Sequence, residues 1–323
     1  MQIYIPNSAW LGNIDPFLRT FDASDSSKLE VISHPKWFSV HPVVLAMIAA
    51  IGLDQKNGQK TIVFPQLEAR SKHYLQRMGL LSLLGLEKKI DIKEHESAGR
   101  FIPLTQITDN ATLSSFIEEM VPLLHLQPDQ VKPIRYIVSE LARNVFEHAS
   151  SAVGAILCAQ YYAKSNTIRL GIVDRGVGIK QTMDVAYKTA GELESIQLAL
   201  TPGITGTTRR IGGTEQNAGA GLFFIKSIAK VNRDFFMIYS GNSMYKLLKT
   251  PQRKSVRLYA DPFRDAHSAD SNFPYWQGTV VGVDLSLDSK KEFNDLLNLI
   301  SATYSKTVKE RRKEYYKRRA RFI

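Results

Sequence analysis

Apolar positions in this chain recur with a helical period in some stretches and alternate in others, and the switches between the two divide it into elements. Residues 39–51 (SVHPVVLAMIAAI) have helical character and run into a polar turn at 54–59. Residues 60–64 (KTIVF) then read as a buried strand ending at Pro65, and residues 67–75 as a second helix closed by Arg77-Met78-Gly79. Residues 1–100 are therefore expected to form a small α/β unit. A polar stretch with Gly and Pro at 93–103 marks its boundary. Beyond it the pattern predicts helices over 111–126 and 128–149, broken at Gln127-Pro128-Asp129. Strands follow over 154–163 and 167–174, joined by a hairpin turn at Lys164-Ser165-Asn166. Residues 201–217 (TPGITGTTRRIGGTEQN) are too rich in Gly and Thr for a regular element, and an irregular loop of 17 residues in a compact domain is usually functional, often a lid. A helix over 221–231 and strands at 235–239, 256–259 and 279–287 complete a domain expected at 104–288, followed by a basic helical tail at 289–323.

Three segments carry chemistry. In Ser139-Glu140-Leu141-Ala142-Arg143-Asn144-Val145-Phe146-Glu147-His148, the helical repeat puts Glu140, Asn144 and His148 on one face beside an apolar stripe of Ile137, Leu141 and Val145. A carboxylate and an amide one turn apart can hold a water and a hard cation; a polar helix face that merely makes hydrogen bonds has the same pattern. In Asp174-Arg175-Gly176-Val177-Gly178, a carboxylate ends a buried strand and two glycines let the backbone approach a flat ligand; an Asp-Gly turn is the plainer reading. In Asn217-Ala218-Gly219-Ala220-Gly221-Leu222, glycines open an apolar helix whose N-terminal N–H groups suit phosphate, or simply give a flexible start.

The order of these features, with a long Gly/Thr loop between the second and third and a closing strand that begins Gly278-Thr279, resembles the GHKL superfamily of ATPases over about residues 108–287. That superfamily includes DNA gyrase, Hsp90, MutL, histidine kinases and anti-sigma serine kinases. The resemblance implies a Bergerat-type α+β sandwich, within the α/β class, that binds ATP with Mg²⁺. It implies that Glu140 polarises the attacking water and Asn144 ligates the metal. Asp174 would bind the adenine amine, Gly176 and Gly178 would keep the adenine pocket open, and Thr279 would complete it. Gly219, Gly221 and Leu222 would offer N–H groups to phosphate, residues 201–217 would be the ATP lid, and Arg209 and Arg210 would be candidates to neutralise phosphate. Glu147 departs from the pattern, standing where many sensor kinases carry a phosphate-contacting Lys or Arg. His125, in Leu124-His125-Leu126-Gln127-Pro128, lacks the acidic and basic neighbours of a phosphoacceptor helix. An orthodox sensor kinase is therefore not expected. Within residues 1–100, Tyr74-Leu75-Gln76-Arg77-Met78-Gly79 and the helix–strand–helix rhythm loosely resemble the STAS-like domains of bacterial regulators.

Other nucleotide folds fail on spacing. The string at 52–58 lacks P-loop spacing and is followed by Gln59, and the third glycine of a dinucleotide fingerprint is replaced by Phe224. Composition adds little: 44% hydrophobic and 23% charged residues over 323 positions are ordinary for a globular protein. The single cysteine, Cys158, precludes an intrachain disulfide and suits a reducing cytosol. Neither a signal peptide nor an apolar run approaching the roughly 20 residues of a membrane span is evident, so a cytoplasmic location is expected.

Charge is more telling. Lys and Arg number 42 against 31 Asp and Glu, a net +11, yet residues 306–321 hold nine basic and two acidic residues, or +7 of that total. Three functions stay open. The first is an Mg-ATP-dependent, ATP-hydrolysing switch that regulates an unidentified protein partner through lid closure, with a homodimer compatible. The second is an anti-sigma-type serine/threonine protein kinase. The third is a nucleotide-gated adaptor or nucleic-acid binder using residues 306–321, with Tyr315 and Tyr316 available for base stacking.

Overall fold

The computed structural model describes residues 1–21, 27–36, 38–65, 67, 69–86, 101–120, 124–209, 211–212, 219–288 and 293–319, with the backbone alone at 69, 70, 119, 120 and 315–319. The predicted boundary at 93–100, Arg210, residues 213–218 and the side chains of Tyr315 and Tyr316 lie outside the described residues. The N-terminal part runs β1 (Gln2–Ile5), β2 (Ser8–Ala9), α1 (Asp15–Leu18), β3 (Lys28–Ser33), β4 (Ser39–Val40), α2 (Pro42–Asn57), β5 (Thr61–Val63), α3 (Ala69–Arg77) and α4 (Leu80–Leu83). Strands β1, β3 and β5 form a parallel sheet in that order, and β2 pairs with β4.

The rest of the chain adds β6 (Phe101–Ile107), α5 (Asn110–Ser115), α6 (Pro128–Asn144), β7 (Ala155–Tyr162), β8 (Thr167–Asp174), α7 (Gly178–Asp184) and α8 (Glu192–Ala199). It continues with α9 (Gly221–Val231), β9 (Phe236–Gly241), β10 (Ser243–Leu247), β11 (His267–Asp270), β12 (Trp276–Ser286) and α10 (Phe293–Arg319). Its seven-stranded sheet has the order β11-β10-β9-β12-β8-β7-β6, each neighbouring pair antiparallel. The mixed helix-and-sheet fold expected from the sequence is the fold the chain adopts.

Both faces of this sheet are covered, and the period of two along each strand sorts side chains between them. Ile156, Cys158, Val173, Met237, Tyr239 and Val280 pack with the N-terminal elements. Leu157, Leu170, Ile172, Ile238, Val281 and Val283 pack with α6, α9 and α10. Helix α2 explains the first of these cores. Its residues 42–53 are all buried, and a helix apolar all round must be covered all round. Its backbone reaches the sheet because Gly171 has no side chain: a β-carbon there would overlap the backbone of Val43. His41 caps it, Nδ1 accepting the Val43 N–H at 3.1 Å, which leaves Nε2 to face Asp284 Oδ1 at 3.3 Å. Arg169 approaches the same oxygen at 3.5 Å, its guanidinium packed on the rings of Trp10 and Tyr162, which meet edge to face.

The structure corrects the element reading in several places. Residues 256–259 are irregular and not a strand. Strands β6, β10 and β11 and helices α7 and α8 take segments for which no element was expected. Strand β6 carries Pro103, which an edge position tolerates because one side of an edge strand has no ladder to donate to. Strand β11 (HSAD), at the other edge, lacks apolar alternation. Helix α5 is shorter than predicted and passes into a π-helical turn at Phe116–Met120; the second predicted helix is α6 followed by a π-helical turn at Val145–Ala149.

Gly171→Ala is expected to destabilise the protein by about 1–3 kcal/mol, the usual cost of overpacking a core. Urea unfolding checks this, and a midpoint equal to wild type would contradict the close approach of α2 to β8.

Candidate functional site

Helix α6 buries Ile134, Ile137, Val138 and Leu141 against the sheet and so presents Tyr136, Glu140 and Asn144, at successive steps of four, to one side of that core. The π-helical turn that follows widens the helix end and carries His148 to the same side. It also delivers the carbonyl of Ala149, which accepts the Val177 N–H at 2.7 Å. Gly176 lies against that carbonyl so tightly that a β-carbon would overlap it.

Asp174 is the last residue of β8 and shares the parity of Ile172 and Leu170, so its side chain faces α6. The register that pairs Val173 with Val280 puts Thr279 beside it. Asp174 Oδ1 accepts the Gly176 N–H at 2.8 Å, and Thr279 adds hydrogen bonds from its backbone and side chain. Burial lifts the carboxyl from the ordinary 3.8 to about 6, with the hydrogen bonds from Gly176 and Thr279 opposing the rise. Gly278, at φ 104°, lets β12 bulge around this point, where a β-carbon would overlap the Asp174 carbonyl. Ser240 locks the junction, its hydroxyl donating to the Gly278 carbonyl at 2.7 Å and accepting the Ile179 N–H at 3.0 Å.

These elements enclose a cavity of about 350 Å³. Glu140, Asn144, Asp174, Gly178, Gly219, Gly221, Leu222 and Thr279, all singled out from the sequence, line it together. Gly176 does not; it lies behind, packing the β8 loop onto the end of α6. Part of its lining is apolar, from Leu141, Val145, Ile172, Ile179, Met183 and Val281. Helix α9 begins at the cavity, and the first N–H groups of a helix have no intrahelical acceptor. Gly221 at that start is pressed against Glu140: a β-carbon on it would lie 2.6 Å from Oε2. The other carboxylate oxygen, Oε1, accepts from Arg143, whose Nε lies 3.8 Å from Glu147 Oε1. Burial lowers the His148 pKa, offset in part by Glu147. Arg143 and Ser240 went unnoticed in the sequence: Arg143 could have been found from its place between Glu140 and Asn144, whereas nothing local marks Ser240. Arg209 does not line the cavity; its guanidinium donates to the Ala186 carbonyl.

The described part of the predicted lid covers the cavity with Ile204, Thr205 and Gly206. It is held from behind by α10. Val308 is buried between Gly203 and Gly212, where β-carbons would lie 2.6 and 3.3 Å from its methyl groups. Arg312 Nε donates to the Ile211 carbonyl at 3.1 Å and Arg311 Nη1 to the Pro202 carbonyl at 3.5 Å. Further along α10, Leu296 and Ile300 are buried and Tyr304 packs against Phe223 and Phe224 of α9. The segment expected to be a tail thus packs against the described part of the predicted lid.

Residues 105–232 match the family model of the histidine kinase-like ATPase domain. This segment is a histidine kinase-like ATPase domain, an ATP-binding class, and it contains α6, the Asp174 loop, the lid and α9. No curated protein matches the chain. The family match begins at residue 105, so it lends nothing to the STAS-like reading of the N-terminal part. No helix among the described residues is long and apolar enough to cross a membrane.

Two outcomes follow from this geometry. Between pH 4 and 6 the folded protein holds a proton on Asp174 that the unfolded chain has released, so this group's contribution to stability falls as pH rises through that window. Asp174→Asn should therefore gain about 2–3 kcal/mol relative to wild type from pH 4 to pH 7, read from paired unfolding curves; a difference that stays constant with pH would contradict it. Val308→Ser should speed amide exchange at Gly212 by about tenfold, the effect of losing roughly one buried aliphatic side chain. Unchanged exchange there would mean that α10 does not hold the lid.

Proposed function

We propose that the protein is an Mg-ATP-dependent conformational switch: the cavity binds and hydrolyses ATP, and the lid at 201–217 passes the state of the site to a protein partner. The observation that carries this reading is that a single cavity gathers a carboxylate and an amide from α6, a buried carboxylate beside Thr279, and the N-terminus of α9. Asp174, ionised at pH 7, accepts the exocyclic amine of adenine between apolar walls that exclude water. Gly178 and Thr279 leave room for the ring. The N–H groups at the start of α9, with the helix dipole behind them, receive phosphate oxygens beside Gly219, Gly221 and Leu222.

Glu140 sits at that helix start and acts as the general base that orients the attacking water. Mg²⁺ usually keeps several waters and takes one or two protein oxygens plus those of phosphates, so the single amide oxygen of Asn144 suits it. When bound, the metal neutralises charge on the phosphates. The lid then changes its packing against α10. Arg175 links the Asp174 loop to the N-terminal part, its Nη2 lying 3.2 Å from Asp54 Oδ2 on α2, which gives that part a route to read the site.

The test is ATP binding by calorimetry together with phosphate release. Glu140→Ala should keep ATP binding and lose hydrolysis by about 100-fold or more, the usual worth of a general base. A wild-type protein that binds no ATP, or a Glu140→Ala variant that hydrolyses it normally, would overturn the proposal.

A further inference from the structure

We infer that Arg143 is the residue by which the cavity distinguishes a nucleoside triphosphate from a diphosphate, and that its ion pair with Glu140 is the resting form of that contact. The inference rests on the nucleotide reading above and deepens it. Glu140 bridges two features with its two oxygens: Oε2 abuts Gly221 at the start of α9, and Oε1 accepts from the Arg143 guanidinium. Arg143 therefore stands one carboxylate away from the helix terminus that attracts phosphate.

The charges around the cavity call for such a group. Among the described lining residues there are three carboxylates, those of Glu140, Glu147 and Asp174, and Arg143 is the one guanidinium or ammonium. A triphosphate entering this set meets net repulsion except at the α9 terminus and at Arg143. A diphosphate that occupies the terminus lacks the additional phosphoryl group to reach further.

Arg143 is also free to move. Its side chain is 50% exposed, and its ion-pair partners, Glu140 and Glu147, lie three residues before and four after it on the same helix. The pair with Glu147 is exposed on both sides and weak, the Glu140 side chain is 15% exposed, and a guanidinium on a phosphate gains two charge-assisted hydrogen bonds in exchange for the one to Glu140. A terminal phosphate thus takes Arg143 from Glu140. That transfer leaves Oε1 of Glu140 open to a water only when the third phosphate is present, so the base is masked in the empty and diphosphate states.

The test uses the full chain and calorimetric affinities for MgATP and MgADP. Wild type should prefer ATP. Arg143→Gln should weaken ATP by about tenfold or more and leave ADP within about twofold, as expected for a lost charge-assisted contact to one phosphate. Arg143→Lys, a point charge without the fork, should fall between the two. Glu147→Gln, which removes a competitor for the guanidinium, should tighten ATP and leave ADP unchanged. Equal losses for ATP and ADP in Arg143→Gln, or no loss for either, would overturn the inference. So would a wild-type protein that binds both nucleotides equally, and in that case the nucleotide reading stands. A wild-type protein that binds neither removes both.

Discussion

The structure turns on one buried carboxylate. Asp174 ends a central strand among backbone atoms, and an ionised group placed there must be offset by hydrogen bonds or take up a proton. The chain supplies donors at Gly176 and Thr279, and to bring them close it thins the surroundings to backbone. Gly176 lies against Ala149, Gly278 lies against Asp174 itself, and Ser240 pins the resulting bulge. The π-helical turn after α6 belongs to the same arrangement, because it is what aims the Ala149 carbonyl at this loop. On the far side of the loop, Trp276 donates to the Asp174 carbonyl at 3.2 Å and carries Arg175 over its ring, and Arg175 reaches Asp54 of α2. One short segment thereby fixes one wall of the cavity, the end of α6 and a contact of the N-terminal elements.

A site for polyanions lined with more carboxylates than cations is not a contradiction if attraction is concentrated. On the proposed reading, the N-terminus of α9 would supply fixed positive partial charge beside the Glu140 carboxylate, and a divalent cation bound with the phosphates would add more. The two carboxylates have different surroundings: Asp174 is buried at the end of β8, while Glu140 sits beside the start of α9, and on the proposed reading they would do separate jobs. Asp174 is the more deeply buried of the two, and that burial raises its carboxyl toward 6.

How much of this the sequence showed depends on how local each signal was. Glu140, Asn144 and His148 were legible because a helix repeats nearly every four residues, and Asp174 because it closes an alternating apolar run. The glycines near Asp174 and at the start of α9 were legible as glycines, but their neighbours were not: the sequence does not say that Gly221 faces Glu140 or that Gly176 faces Ala149 and not the cavity. Ser240 was invisible, since its partners, Ile179 and Gly278, lie 61 and 38 residues away. The elements missed were those with weak internal pattern, such as the edge strands β6 and β11, where pairing with a neighbour decides the conformation and propensity does not.

The concentration of positive charge near the chain end shows the same limit in another form. Read as composition, residues 306–321 are a basic stretch that invites an anionic partner. In the fold, two of those charges are engaged by uncharged groups: Arg311 and Arg312 donate to carbonyls of the lid, and burial lowers the Arg311 pKa. A loop of irregular backbone has carbonyls that no regular ladder satisfies, and long side chains from a neighbouring helix are a direct way to meet that need. Val308 completes the contact by filling the space that Gly203 and Gly212 leave. Lys306, Lys309 and Lys313 remain exposed on the same helix. The segment's charge is therefore not all held on free side chains: two of its arginines also anchor the backbone of residues 202–211.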